Sequence, residues 1–411
     1  MNDSSAITDS GSLESSRRTL ATTPAVHPIG RQGAAAAAAL VLLASGSLGL
    51  AHGHGWRQGA LFLVGGFLGL SLYHALFGFT SAWRAFIVER RGAGLRAQMI
   101  MLALAAVVFF PALGSGSLLG RAVHGEVGAV GVSVAVGAFL FGIGMQLGGG
   151  CASGTLYTVG GGSTRMLVTL AAFVAGSTAG ALHLPWWSAR PNLGPIALIE
   201  KLGWPAALAL HLLLFAAIAA ATLAIERRRH GTSEGRLGET GWRRLTRGPW
   251  PLAWGAVGLA LGNVTTLYLA GRPWGVTSAF ALWGSKIVAA TGVDVASWAY
   301  WTSPARRAAL ANGVLADVTS VMDFGILLGA LLAAGLAGKF SPTLRVPARS
   351  LAAAVVGGLL LGYGARLAYG CNIGAYFSGI ASSSLHGWEW MVAAFAGNVL
   401  GTRLRPLFGM A

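Results

Sequence analysis

The sequence predicts an all-α integral membrane protein of about ten spans, with re-entrant or broken helices and two inverted internal repeats. Three observations predict it. Hydrophobic residues fill 54% of the 411 positions and charged residues only 10%, whereas a soluble domain carries roughly 25% charge. Apolar runs of about 20 residues, the length needed to cross about 30 Å of hydrocarbon, recur along the chain. Two short motifs also appear once in each half, in the same order. The composition excludes a disulfide scaffold (two Cys), a disordered protein and an ordinary cytosolic enzyme. The 62 glycines suit closely packed membrane helices and irregular backbone lining a cavity.

Residues 1–32 are polar, with six Ser in the first sixteen positions, and read as a disordered tail. The pair Arg17-Arg18 is a weak match to a twin-arginine export signal. The apolar run begins only at Gly33 and many more follow, so a first span is expected there, not a cleaved leader. Spans are expected near 33–51, 59–75, 95–112, 129–147, 166–185, 205–226, 251–270, 319–338, 348–366 and 389–402. The most polar interruption, 227–249, holds seven Arg. It reads as a cytoplasmic basic linker between a first membrane half, 33–226, and a second, 250–411.

The net charge of +16 comes from 29 basic and 13 acidic residues. These basic residues lie between apolar runs and make no aromatic-interleaved patch, which argues against nucleic acid. Alternating outward from the linker puts 20 of the 29 on one side, with both chain termini. The positive-inside rule makes that side cytoplasmic, and a location in the cell inner (plasma) membrane is expected. Attraction of anions is a second reading of the same charge.

The halves repeat each other. "LFGFTSAWRAF" (76–86) and "PWGVTSAFALW" (273–283) share Gly-x-Thr-Ser-Ala-aromatic, opening at Gly78 and Gly275. "GMQLGGGCASGTLY" (144–157) and "GARLAYGCNIGAYF" (364–377) share Gly-x-x-Leu-x-x-Gly-Cys-x-x-Gly. Five expected spans separate the repeats, an odd number, which inverts one relative to the other, as in many secondary transporters.

Both cysteines of the protein, Cys151 and Cys371, occupy the same place in the second motif, each preceded by glycine (Gly150, Gly370). Glycine at this density makes a continuous helix costly, so each motif is expected to break and dip toward the membrane centre. Backbone N–H groups exposed at the start of a half-helix favour an anion. A neutral thiol adds a weak S–H donor on a polarisable atom. Such a site suits a soft anion with a sulfur end, and the thiols must stay protonated, since two thiolates would repel it. The plainer reading keeps each Cys as a small apolar packing residue. A Cys151–Cys371 disulfide is disfavoured where the reducing cytoplasm has access.

The segments 142–163, 271–286 and 364–406 resemble the YeeE/YedE family of sulfur-compound transporters, whose characterised members take up thiosulfate. The resemblance covers roughly 59–406. It implies an hourglass-like helical membrane fold with an internal pseudo-twofold and substrate passing between cysteines by S–H contacts. It also implies handover to a TusA-like sulfur carrier in the cytoplasm. Cys151 and Cys371 match two of the family's cysteines. A third lies in a Phe-Cys-Phe-like segment, matched here by Phe77-Gly78-Phe79, where Gly78 replaces it.

Other ionisable groups are candidates for lesser roles. Asp317 and Asp323, at the edge of the 319–338 span, suit proton coupling or an interfacial position. Arg366 and Lys286 suit anion guidance, or snorkelling and headgroup anchoring. His211 reads as a packed interhelical histidine. Trp186, Trp187, Trp274, Trp298 and Trp301 are expected in interfacial belts. No Walker loop, zinc spacing or Gly-x-Ser-x-Gly occurs, so no metal, cofactor or catalytic residue is expected. The leading expectation is uptake of thiosulfate or a related sulfur anion. The alternatives are a membrane-embedded sulfur relay or enzyme with a Cys nucleophile and a subunit that only docks a carrier.

Overall fold

The computed structural model of the chain describes residues 29–232, 241–342 and 345–410. Most of the expected tail (1–28) and the middle of the expected linker (233–240) lie outside the described residues. What is described is almost wholly helical, in agreement with the predicted class.

The first half contains α1 (Ile29–His54), α2 (Trp56–His74), α3 (Phe79–Arg84), α4 (Ala93–Gly114) and α5 (Val132–Gly148). It continues with α6 (Ala152–Gly160), α7 (Thr164–Ser188), α8 (Leu198–Leu202) and α9 (Trp204–His230). After α10 (Trp242–Arg247), the second half contains α11 (Leu252–Ala270), α12 (Thr277–Ala290), α13 (Pro304–Ala311), α14 (Val318–Leu336) and α15 (Ala348–Leu367). It ends with a π-helix (Asn372–Ser378), α16 (Gly379–Ala381) and α17 (Leu385–Leu404). Two minor antiparallel pairs trim the loops, β1 (Ser117–Leu118) with β2 (Arg121–Ala122) and β3 (Ala129–Gly131) with β4 (Asn192–Pro195).

Among the described residues, nine helical stretches are long and apolar enough to cross a membrane, from Gln32–His54 to Ala348–Leu367. They match the first nine expected spans. The tenth, near 389–402, is helical as α17, but it carries His386, Glu389 and Arg403 and its composition is too polar to count with the others.

The bundle is built on glycine-mediated crossings. The helix α15 packs against α5 and α7, α17 against α5, and α14 against α2. At the α5–α15 crossing a Cβ on Gly144 would come within 2.8 Å of the Gly357 carbonyl oxygen. Hydrogen there lets the backbones approach closely, which is how membrane helices gain packing without a hydrophobic drive between them. In contrast, α9 is largely exposed along its length. Its far end is anchored by Glu226, fully buried, which pairs with Arg96 at 2.6 Å and Arg91 at 3.7 Å and accepts the Gly92 N–H at 3.2 Å.

Candidate functional site

Each cysteine caps a broken helix. The helix α5 stops at Gly148, and Gly149 turns the chain at φ 88°, a left-handed value that a side chain resists. Cys151 then sits in extended conformation at the N-cap of α6, its sulfur accepting the Gly154 N–H at 3.4 Å and lying 3.5 Å from the Ser153 hydroxyl. The second break has the same local form. After α15 ends at Leu367, Gly370 takes φ 157°, where a Cβ would meet the Ala375 nitrogen at 2.6 Å. Cys371 caps the π-helix in extended conformation and its sulfur accepts the Ile373 N–H at 3.4 Å. Both cysteines are free, buried, and part of one continuous apolar core, and α6 touches the π-helix. Because each sulfur accepts from its own backbone, the S–H proton can act as a donor, with the Ser153 hydroxyl within reach of Cys151.

Beside the second break lies a cavity of about 320 Å³. Gly370 and Gly374 form part of its wall, so it reaches the residues flanking Cys371. Gly275 lines it too, and a Cβ added at Gly275 or Gly374 would meet nothing within 4 Å. Both glycines therefore leave open space. Its wall is made by the segment between α11 and α12, by α13, by Asp317 before α14 and by the end of α15.

Three guanidinium groups face this space: Arg272 after α11, Arg306 on α13 and Arg366 at the end of α15. Each is held by neutral oxygen. Arg366 donates to the Tyr300 hydroxyl at 2.7 Å and to the Thr277 hydroxyl at 2.8 Å, Arg272 donates to the Thr319 hydroxyl at 3.0 Å, and Arg306 donates to the Tyr300 carbonyl at 3.3 Å. Arg306 also stacks on the Tyr300 ring, 4.3 Å from its centroid. Among the described residues no ion pair joins any of the three to a carboxylate. Guanidiniums positioned by neutral oxygens, and outnumbering the two carboxylates on the same wall, Glu126 and Asp317, make a cavity suited to anions.

The candidate residues read from the sequence are distributed as follows. Cys371, Gly370, Gly275, Arg366 and Asp317 come together at or beside the cavity. Cys151 and Gly150 lie on the other break, with a Cβ on Gly150 3.1 Å from the Met166 methyl. Gly78 caps α3 and faces α6, since a Cβ there would stand 3.5 Å from the Tyr157 hydroxyl. Asp317 accepts the Ser320 N–H at 2.8 Å and hydroxyl at 2.7 Å, capping α14. Asp323 is fully buried and neither carboxyl oxygen has a partner among the described residues. Lys286 donates to the Leu310 and Asn312 carbonyls, both at 2.7 Å, closing the end of α13, and is not on the cavity wall.

Some placements differ from expectation. Trp274 and Trp301 are buried, not interfacial: the Asn263 side-chain Oδ1 accepts the Trp274 backbone N–H at 2.8 Å, and the Trp301 indole donates to the Ser285 hydroxyl at 3.1 Å. Trp186 is exposed, as a belt residue would be. His211 is the packed interhelical histidine expected, bonded to the Ala207 carbonyl at 2.8 Å and to the Trp388 indole at 3.2 Å.

Five site residues escaped the sequence reading. Arg272 lies three residues before Gly275, which opens the second Gly-x-Thr-Ser-Ala motif, a usable signal, whereas Glu126 in a loop, Tyr300 in a short 3-10 turn and Arg306 on α13 follow no sequence pattern. Asn372 was missed although it follows Cys371. It is fully buried, and neither its amide nitrogen nor its oxygen has a partner among the described residues. A buried amide without partners costs about 1–3 kcal/mol, and a ligand oxygen at the thiol would offset that.

A bundle of apolar helices interrupted at two thiol-bearing breaks defines a multi-pass integral membrane protein. Residues 74–400 match the Sulphur transport family, and the chain belongs to it, as its motifs resembling YeeE/YedE implied. It is similar to the thiosulfate transporter TsuA of Spirochaeta thermophila, 28% identical over 351 residues, covering 82% of this chain and 95% of that protein. It is also similar to the probable transporters YedE of Escherichia coli K12 (34% identical) and Salmonella typhimurium LT2 (35%). Those two matches span 156 residues, 36% of this chain and 37% of each relative's length.

Proposed function

We propose that this protein takes up thiosulfate, or a closely related sulfur-containing anion, across the cell inner membrane through a central path with thiol S–H contacts. The observation that carries the reading is the junction of a guanidinium-lined cavity with the Gly370–Gly374 segment that holds Cys371. The anion gathers among Arg272, Arg306 and Arg366, meets the Cys371 S–H group, and moves on toward Cys151. Gly275 leaves room in the cavity, Gly370 turns the chain into Cys371, and Gly78 and Gly150 lie against α6 beside Cys151. The sulfur relative TsuA supports thiosulfate as the first anion to test.

In this reading the cavity opens to the outside, both termini are cytoplasmic, and the two halves are inverted repeats. A TusA-like carrier receives the anion inside. Lys286 steadies the outer rim of the path through α13, and Asp317 and Asp323 are the membrane-edge and buried carboxyls available for proton coupling. The hydrogen-bond partners of the two sulfurs are backbone N–H groups and the Ser153 hydroxyl. None is a base, so they favour thiols that donate over a nucleophilic thiolate.

The test is uptake by the purified full chain in proteoliposomes, with labelled thiosulfate competed by sulfate, sulfite and selenium analogues. Concentrative or saturable thiosulfate uptake that sulfate fails to block supports the proposal. No uptake of any sulfur anion sinks it.

A further inference from the structure

The uptake reading leaves one charged group of the cavity unused. Glu126 lies on the cavity wall with Arg272, Arg306 and Arg366. Its loop is tied down on both sides. The His124 N–H donates to the Gly271 carbonyl at 3.0 Å, the Glu126 N–H to the Ser382 hydroxyl at 2.9 Å, and the Gly128 N–H to His386 Nδ1 at 3.1 Å. The backbone is therefore held over the cavity, between the end of α11 and the turn before α17. The carboxylate itself is held by no hydrogen bond from a described residue. Asp317 differs, because its carboxylate is committed to capping α14.

We propose that Glu126 is the resident counter-anion of the guanidinium cavity, and that a bound dianion drives it to take up a proton from solution. The inference rests on the uptake reading and adds the group that couples anion loading to protonation. With three guanidiniums and two carboxylates around one cavity, an arriving dianion leaves more negative than positive charge there. Glu126, loosely held, is the group that can shed its charge. The reaction is carboxylate plus proton to carboxylic acid, with no other bond made or broken.

The sign follows from linkage. Burial raises the Glu126 carboxyl above the ordinary glutamate value of 4.5, and the charges of Arg272, Arg366 and Arg306 pull it part of the way back. A bound dianion raises it further. Neutral Glu126 favours the anion and ionised Glu126 opposes it, so affinity falls as pH rises through a window above 4.5. The other titratable groups on the cavity wall are Asp317 and the Tyr300 and Tyr369 side chains, and the nearby groups off the wall are His124 on the same loop and His386 on α17, whose Nδ1 already accepts the Gly128 N–H and meets Ser384 Oγ at 2.6 Å.

The test is calorimetric binding of thiosulfate to the purified full chain in two buffers of different ionisation enthalpy, which counts protons taken up. For the wild type we expect a net uptake approaching one proton and an affinity that falls by up to about tenfold per pH unit within the window. Glu126→Gln should abolish the proton uptake, flatten the pH profile and bind several-fold tighter at neutral pH. Glu126→Asp should keep the proton uptake, which guards against a Gln variant that fails to fold. Equal proton uptake in wild type and Glu126→Gln overturns the inference, as does wild-type binding without proton uptake. Absence of any thiosulfate binding by the wild type overturns the uptake reading itself.

Discussion

Arg366 donates to the Tyr300 hydroxyl at 2.7 Å, while Arg306 lies 4.3 Å from the centroid of the same ring. One tyrosine thus positions two guanidiniums on the wall of one cavity without neutralising either. Two like charges kept close in this way repel, and their retention needs a compensating anion. That relationship underlies the first prediction.

Arg366→Gln should raise the KM for thiosulfate by about 10- to 100-fold, the equivalent of losing a hydrogen bond to a charged group. Initial-rate uptake in proteoliposomes measures it. Arg366→Lys should recover only part of the loss, because an ammonium cannot serve Tyr300 and Thr277 together. An unchanged KM in Arg366→Gln would remove this residue from the path.

Cys151→Ala and Cys371→Ala should each abolish uptake while costing only about 1 kcal/mol of stability, the scale of one small buried group. Thermal unfolding in detergent, run beside uptake, separates the two effects. Full uptake in the double variant would return both cysteines to the role of packing residues.

Asn372→Leu should lower uptake and leave stability unchanged or raised, by up to about 1–3 kcal/mol, since it removes a buried amide with no partner. Rising stability with falling activity marks a group kept for a ligand. A large loss of stability would instead show that the amide is satisfied within the fold.

Glu226→Ala should destabilise by about 3–5 kcal/mol, because Arg96 and Arg91 lose a buried partner. Gly144→Val should cost about 1–3 kcal/mol by forcing α5 away from Gly357. Denaturation curves test both. Neither residue lines the cavity, so any uptake that survives should show an unchanged KM.

Hydropathy located most of the fold, since each span has to satisfy its backbone internally and present apolar side chains to lipid. The first nine expected spans match the nine apolar helical stretches, because twenty apolar residues in lipid have few alternatives to helix. The tenth is less distinct by composition, since His386, Glu389 and Arg403 dilute the apolar character of α17. Gly150-Cys151 and Gly370-Cys371 were legible as breaks for the same backbone reason: glycine density makes an unbroken helix costly. The third expected thiol position was visible in the sequence as Gly78, and in the fold it faces Tyr157 on α6.

The cavity was not legible. Arg272, Arg306, Arg366 and Glu126 lie on four separate segments, and no periodicity links a loop residue to a wall it meets across the bundle. Sequence alone determined the membrane class, the family and the two thiol-bearing breaks, because these follow from local composition and short motifs. Only the tertiary structure decided which charges share a space, which are engaged as caps, as Asp317 and Lys286 are, and which stand unpaired. Charge pairing depends on distance through space, and helix packing sets that distance.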